Sequence, residues 1–161
     1  MVNFKTNNYE FFKFNPKSDE HLKCINTLLN DKYVRMYLDT SSVMDFLSVA
    51  SYDDEISDSA FLVGMNDSIV GYLSTFSGIN FIDLQYALMP DMRGVKVNSF
   101  DSVASLMIKE ASSELFKRYE YVKFLRVYIN ENNIASLKMA QKVGFELVRD
   151  GFSPYELHLN R

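Results

Sequence analysis

The chain has 161 residues, 47% hydrophobic and 24% charged, with a net charge of −4. That length can bury a core without disulfide or metal staples, and an ordinary charged fraction excludes wholesale disorder. No run reaches the ~18 apolar residues of a membrane-spanning helix, and the acidic balance argues against a nucleic-acid binder.

In chain order, residues 8–14 (NYEFFKF) read as a first, aromatic-rich strand. Ser18 is placed to cap a helix whose first turn carries Asp19 and Glu20, with Leu22, Ile25, Leu28 and Leu29 at helical spacing. A second helical stretch, about 31–38, carries Tyr33, Val34, Tyr37 and Leu38. A third, from about Thr40–Ser42, aligns Val43, Phe46, Leu47 and Ala50. Residues 59–65 and 68–76 are two β-type runs around an Asn66-Asp67 turn. Gly78 marks another turn, and 81–89 forms a third run ended by Pro90. Together these predict an antiparallel meander.

A long helix is predicted from Ser99 to Phe116, with Phe100, Val103, Ala104, Met107, Ile108, Ala111 and Leu115 on its buried stripe. Residues 121–129 read as a strand and 133–143 as a helix stopped by Gly144. Residues 145–149 and 155–159 make a last strand pair around Asp150-Gly151. With no repeat or linker, the expectation is one domain over 1–161: an α+β (mixed α/β) fold with helices on a mostly antiparallel sheet.

Two segments carry the chemistry. Tyr86 to Ser99 joins a strand to the long helix, and a loop at a helix N-terminus offers free N–H groups to an anion. Asn133-Ile134-Ala135-Ser136 and Lys142-Val143-Gly144-Phe145 open and close the next helix. In this order, Pro90, Arg93-Gly94-Val95-Lys96-Val97-Asn98, Asn133-x-x-Ser136 and Lys142-x-Gly144-Phe145 resemble the GNAT superfamily of acyl-coenzyme A N-acyltransferases. The branch containing ribosomal-protein alanine N-terminal acetyltransferases is the most similar in look. The element order matches over nearly the whole chain, which implies a GNAT-like sheet of about seven strands.

The resemblance implies acetyl-coenzyme A as co-substrate, no metal, and direct transfer to a primary amine, on a protein N-terminus or a small amino compound. It implies that the backbone amides of Arg93, Gly94, Val95, Lys96, Val97, Asn98 and Ser99 cradle the pyrophosphate. Ala87, Leu88 and Met89 would pair with the pantetheine arm, with Asn133 and Ser136 beside it, and the strand before Pro90 would splay. Lys96 and Asn98 depart from the family's small residues, which let the backbone approach phosphate. Asn98 with Asp101 resembles a capping pair that would occupy the same amides. A GNAT-fold domain that binds a ligand or protein without transfer is therefore the alternative.

Transfer needs a neutral amine, a polarised carbonyl and a stabilised thiolate. Residues 81–89 alternate, placing Asp83, Gln85, Ala87 and Met89 on one face. Asp83 stands where the family often has its base, and Gln85 could orient a substrate or water. The family's tyrosine donor position is Ala140 here; Tyr128 or Tyr86 could substitute, although a core or sheet role is simpler for each. Tyr33 and Tyr37, with Phe46 and Tyr52, are candidate acceptor contacts in the helical region. His21 and His158 read as surface residues, and Cys24 as buried filler.

Residues 45–101 hold nine acids against Arg93 and Lys96, a field that could attract a cationic amine. For Asp53 to Asp58 a solvated loop is the simpler reading. One cysteine and no signal-peptide core predict a reduced, cytoplasmic setting, with no membrane partner; a homodimer is compatible with the fold.

Overall fold

The computed structural model describes residues 2–37, 60–151 and 153–161. The predicted helix with Val43, Phe46, Leu47 and Ala50 lies outside the described residues, as do Tyr52 and the acids Asp53 to Asp58. The strands are β1 (Val2–Lys5), β2 (Glu10–Lys13), β3 (Ala60–Met65), β4 (Ser68–Ser77), β5 (Phe81–Leu88), β6 (Phe124–Ile129), β7 (Glu146–Arg149) and β8 (Tyr155–Asn160). The helices among the described residues are α1 (Asp19–Asn30), α2 (Lys32–Tyr37), α3 (Val103–Arg118) and α4 (Ile134–Val143), with a 3-10 turn at Pro90–Met92. The sheet has eight strands in the order β1-β2-β3-β4-β5-β6-β8-β7; β5 pairs with β6 in parallel, and the β1–β2, β2–β3, β3–β4, β6–β8 and β7–β8 pairs are antiparallel. The chain divides into two compact units, Met1–Ser74 with Tyr86–Arg93, and Thr75–Gln85 with Gly94–Arg161, so β4 and β5 each run from one to the other.

In the first unit, the predicted strand over 8–14 is β2, and a further strand, β1, precedes it. Thr6 N–H bonds Tyr9 O at 2.9 Å and turns β1 back onto β2, where Phe4 stacks on Phe11 at 4.1 Å. The alternation around Phe4 is only a few residues long, too short to read as a strand, which is why the sheet gains an eighth member. Ser18 caps α1 through His21 N–H, as its sequence indicates. The apolar stripe of α1 follows: Ile25 is buried in a cluster with Phe14, Ala60 and Leu62, against which Leu22, Cys24 and Leu29 pack. The β3–β4 hairpin turns at Asn66 (φ 50°) and Asp67 (φ 61°), both left-handed, the geometry of a type I′ turn.

In the second unit, α3 buries Val103, Met107, Ile108, Ala111 and Leu115, and α4 contacts it. Leu125, Val127, Ile129 and Leu157 are buried on the strands β6 and β8. The long helix starts at Val103, not Ser99, and Phe100 is 78% exposed instead of buried. The cause is a competition among capping residues. Ser102 and Ser105 form a reciprocal capping box, while Asn98 Oδ1 accepts the N–H groups of Phe100 and Asp101 at 2.8 and 2.7 Å and closes a separate turn. Gly144 (φ 111°) ends α4 in the left-handed conformation, returning its N–H to Ala140 and Gln141 carbonyls.

Gly71 marks the tightest backbone approach in the first unit. A Cβ there would lie 2.6 Å from Ala87 O and 3.5 Å from Leu88 Cα, both main-chain atoms that have no rotamer to escape into. Gly71→Ala should therefore destabilise the protein by about 1–3 kcal/mol, the usual cost of overpacking. Urea unfolding checks this: the midpoint should fall with the slope unchanged.

Candidate active site

Strand β5 pairs with β6 in parallel at only three positions, Phe81↔Phe124, Ile82↔Leu125 and Asp83↔Arg126. These three positions all lie in the first half of β5, within the second unit. At the C-terminal end of β5 Met89 N–H donates to Val70 O at 2.9 Å, and Leu88 O accepts from Arg93 Nη2 at 3.3 Å. Pro90 then closes the strand in a 3-10 turn, since it has no N–H to continue the ladder.

Gly94 has φ 73° and nothing within 4 Å of a virtual Cβ, so the left-handed backbone, and not space, calls for glycine there. From it the loop folds back on the start of α3. Val97 and Asn98 N–H groups bond Asp101 O at 2.9 and 3.3 Å, Val103 N–H bonds Val95 O at 3.0 Å, and Lys96 bridges to Ser102. The N–H groups of Val95, Lys96, Ser99 and Ala104 have no hydrogen-bond partner among the described residues. Lys96 and Ser99 are exposed, as are Val95 and Val97 in part. The Asp101 carboxylate sits one residue before the helix cap, 3.3 Å from Ser105 Oγ and 3.5 Å from Lys142 Nζ. The expected Asn98–Asp101 helix cap is thus replaced by an Asx turn that engages some of the loop's amides and leaves others open.

Asp83 is the expected base. Both of its oxygens accept from one guanidinium: Arg126 Nε to Oδ1 at 2.5 Å and Nη2 to Oδ2 at 2.9 Å. The Asp83 hydrogen bond, first among the causes, raises the pKa of Arg126 further, so this cation is permanent. Arg126 also lies over the rings of Phe81 (4.1 Å) and Tyr128 (4.9 Å), and Glu156 Oε1 is 3.8 Å from its Nη1. Gln85 follows on β5 and is exposed. Tyr128 is 49% exposed, and burial of its hydroxyl pushes its pKa up. Ala140, at the family's tyrosine position, is buried.

Asn133 is the N-cap of α4, and its Oδ1 accepts Ser136 N–H at 3.2 Å. These two residues therefore hold each other in a helix cap. In the first unit Tyr33 is 49% exposed on α2, with Lys32 Nζ 4.9 Å and Arg93 Cζ 5.5 Å from its ring; Tyr37 ends the same helix. Cys24 packs against the core of that unit, and burial raises its thiol pKa, consistent with filler. The histidines differ from the surface reading. His21 Nδ1 accepts Asn15 N–H at 3.0 Å, and desolvation lowers its pKa. His158 bonds Glu156 at 2.7 Å and stacks on Phe124 at 4.2 Å.

Sequence reasoning missed the partners. Arg126 stands 43 residues from Asp83, and Asp31 lies far from Arg93 in the chain. Only the alternation of Phe124, Arg126 and Tyr128 in a strand beside the Asp83 strand could have hinted at the first pair. The guanidinium of Arg93 binds Asp31 Oδ1 at 2.8 Å.

At the level of sequence, no protein-family model and no curated protein matches the chain. Solved structures do. The ribosomal L7/L12 alpha-N-protein acetyltransferase RimL superposes with a TM-score of 0.75 at 14% identity, over 100% of this chain and 94% of that one. A GNAT-family acetyltransferase from Bacillus anthracis gives 0.73 at 14% identity, over 99% and 98%. The N-acetyltransferase PseH of Campylobacter jejuni, in complex with acetyl coenzyme A, gives 0.65 at 17% identity, over 95% and 99%. The fold is that of the GNAT acetyltransferases.

The Arg93 hydrogen bond, first among the causes, and the N–H groups of Val34 and Tyr33 hold the Asp31 carboxyl below its ordinary 3.8. The folded value lies under the unfolded one. The pair's contribution is therefore complete above the ordinary carboxylate range and is lost as pH falls through the lower folded value. Asp31→Asn should lower stability at pH 7 and flatten the decline between about pH 5 and 2, read by denaturant unfolding across that range. An unchanged acid limb would contradict the assignment.

Proposed function

We propose that the chain is an acetyl-coenzyme A-dependent N-acetyltransferase acting on a primary amine, at a protein N-terminus or on a small amino compound. The observation that carries the reading is the loop at the start of α3. After left-handed Gly94 it keeps the N–H groups of Val95, Lys96, Ser99 and Ala104 unpartnered next to a helix N-terminus, where a pyrophosphate is stabilised by N–H donors and the dipole. The GNAT fold supports it, as do similarly folded proteins crystallised with acetyl coenzyme A or coenzyme A.

In this reading Gly94, Val95, Lys96, Val97, Asn98 and Ser99 hold the pyrophosphate, and Lys96 supplies its charge. The main chain of Ala87, Leu88 and Met89 pairs with the pantetheine arm; Asn133, with Ser136 beside it, contacts that arm or orients the loop. Tyr33 and Tyr37 meet the acceptor. The amine nitrogen attacks the thioester carbonyl carbon, the C–N bond forms, the C–S bond breaks, and the electron pair leaves on the coenzyme thiolate. Met89 N–H is already bonded to Val70 O, so polarisation of the carbonyl falls to another main-chain donor. The amine proton passes to a water held by Asp83 and Gln85, because Arg126 occupies both Asp83 oxygens in-plane. With Ala140 in place of a tyrosine, the thiolate leaves unaided, which its pKa of about 8.5 permits, or takes a proton from Tyr128.

One observation favours a second reading. The N–H groups of Val97, Asn98, Phe100, Asp101 and Ser102 are engaged inside the loop and its cap, and the Asp101 carboxylate stands beside them. A loop closed in this way suits a GNAT-fold domain that binds a ligand or protein partner without transfer.

Thermal unfolding with acetyl-coenzyme A separates the two. Saturating ligand at 100 times its Kd should add about 2.7 kcal/mol, a plain rise in Tm. Asp83→Asn should keep that rise and lose at least ~10²-fold in thiol release with an amine panel. No rise at millimolar acetyl-coenzyme A would favour the second reading.

A further inference from the structure

Within the first unit, Arg93 sits in an arrangement that the phosphate role does not explain. Its Nη2 lies 2.8 Å from Asp31 Oδ1 and 3.3 Å from Leu88 O, and its guanidinium lies 5.5 Å from the centre of the Tyr33 ring. Asp31 has other duties at the same place. Its N–H bonds Leu28 O and ends α1, and its Oδ1 accepts the N–H groups of Tyr33 (2.9 Å) and Val34 (3.1 Å), which starts α2. The carboxylate is 13% exposed and the guanidinium 29%. One ion pair thus joins three pieces of chain: the end of α1, the start of α2 with Tyr33, and the end of β5.

For Arg93 to serve a phosphate, its guanidinium would have to leave a charge-assisted bond and strand a largely buried carboxylate without its cation, which is strongly unfavourable. Lys96 has no such tie. It is exposed, and its ammonium has no carboxylate partner among the described residues.

We infer that the Arg93 guanidinium is a positioning group of the acceptor side and not a phosphate ligand: through Asp31 it pins the start of α2, and with it Tyr33, to the carbonyl of Leu88, leaving Lys96 as the side-chain cation for the coenzyme phosphates. The functional half of this inference rests on the acyltransferase reading; the tether itself rests on the geometry of the first unit alone. Tyr33 then owes its place to the same pair that ends β5, so loss of the pair disturbs recognition of the amine and spares recognition of the coenzyme.

The test compares Arg93→Gln, Asp31→Asn, their double variant and Lys96→Gln in the full chain. Asn keeps an oxygen for the Tyr33 and Val34 N–H groups, so Asp31→Asn removes the ion pair and retains the cap. Amide exchange should speed at Tyr33 and Val34 by a similar factor, fivefold or more, in each single variant and by no more in the double. By calorimetry, coenzyme A should bind Arg93→Gln within about twofold of the parent and Lys96→Gln at least about fivefold more weakly. In thiol release, Arg93→Gln should raise the KM of the amine and leave that of acetyl-coenzyme A unchanged. Weakened coenzyme binding by Arg93→Gln, with α2 exchange unaltered, would overturn the inference. If the parent binds no coenzyme A, the acyltransferase reading fails and exchange alone decides the tether: coupled variants sustain it, additive ones refute it.

Discussion

The candidate site depends on where the backbone hydrogen bonds of residues 84–105 go. A main-chain N–H withdrawn from water needs a partner, and these residues divide sharply between those that have one and those that do not. Within the first unit Met89 N–H returns to Val70 O. Pro90 removes a donor, left-handed Gly94 reverses the chain, and the loop then satisfies Val97, Asn98, Phe100 and Asp101 from within. Val95, Lys96, Ser99 and Ala104 remain open. The loop is therefore rigidified by its own Asx turn and still presents donors, a combination that reduces the ordering an anion would impose.

Charge follows the same economy. Three carboxylates near the proposed chemistry carry a cation: Asp31 with Arg93, Asp83 with Arg126, Asp101 with Lys142. Of the nine acids in the acid-rich stretch, Asp83 and Asp101 are paired in this way. The pairs also fix geometry. The guanidinium of Arg126, held between Asp83 and the rings of Phe81 and Tyr128, can rotate little. Asp83 serves the proposed reaction as an oriented acceptor for water and not as an isolated base.

Local features were legible in the sequence because local physics decides them. The Asn66-Asp67 hairpin, the Ser18 cap, the stripe of α1 and the Gly144 stop all rest on contacts within a few residues. The order of elements, and the GNAT resemblance carried by Pro90, Gly94, Asn133 and Gly144, could be read in the same way. The misses come from competition or distance. Three residues, Asn98, Asp101 and Ser102, could each cap the long helix; the Ser102–Ser105 box prevails, which moves the start to Val103 and exposes Phe100. β1 is too short for its alternation to register. The partners of Asp83 and Arg93 depend on strand register and on a helix junction far away in the chain, which no spacing encodes.

The central claim, that the loop after Gly94 cradles a coenzyme pyrophosphate, is tested most directly by following backbone amide resonances during titration with coenzyme A. The account predicts saturable shifts at Val95, Lys96, Ser99 and Ala104, with Asn98 and Phe100 moving less because their N–H groups are already bonded. Resonances of Val95 to Ala104 that stay fixed at millimolar coenzyme A would contradict it.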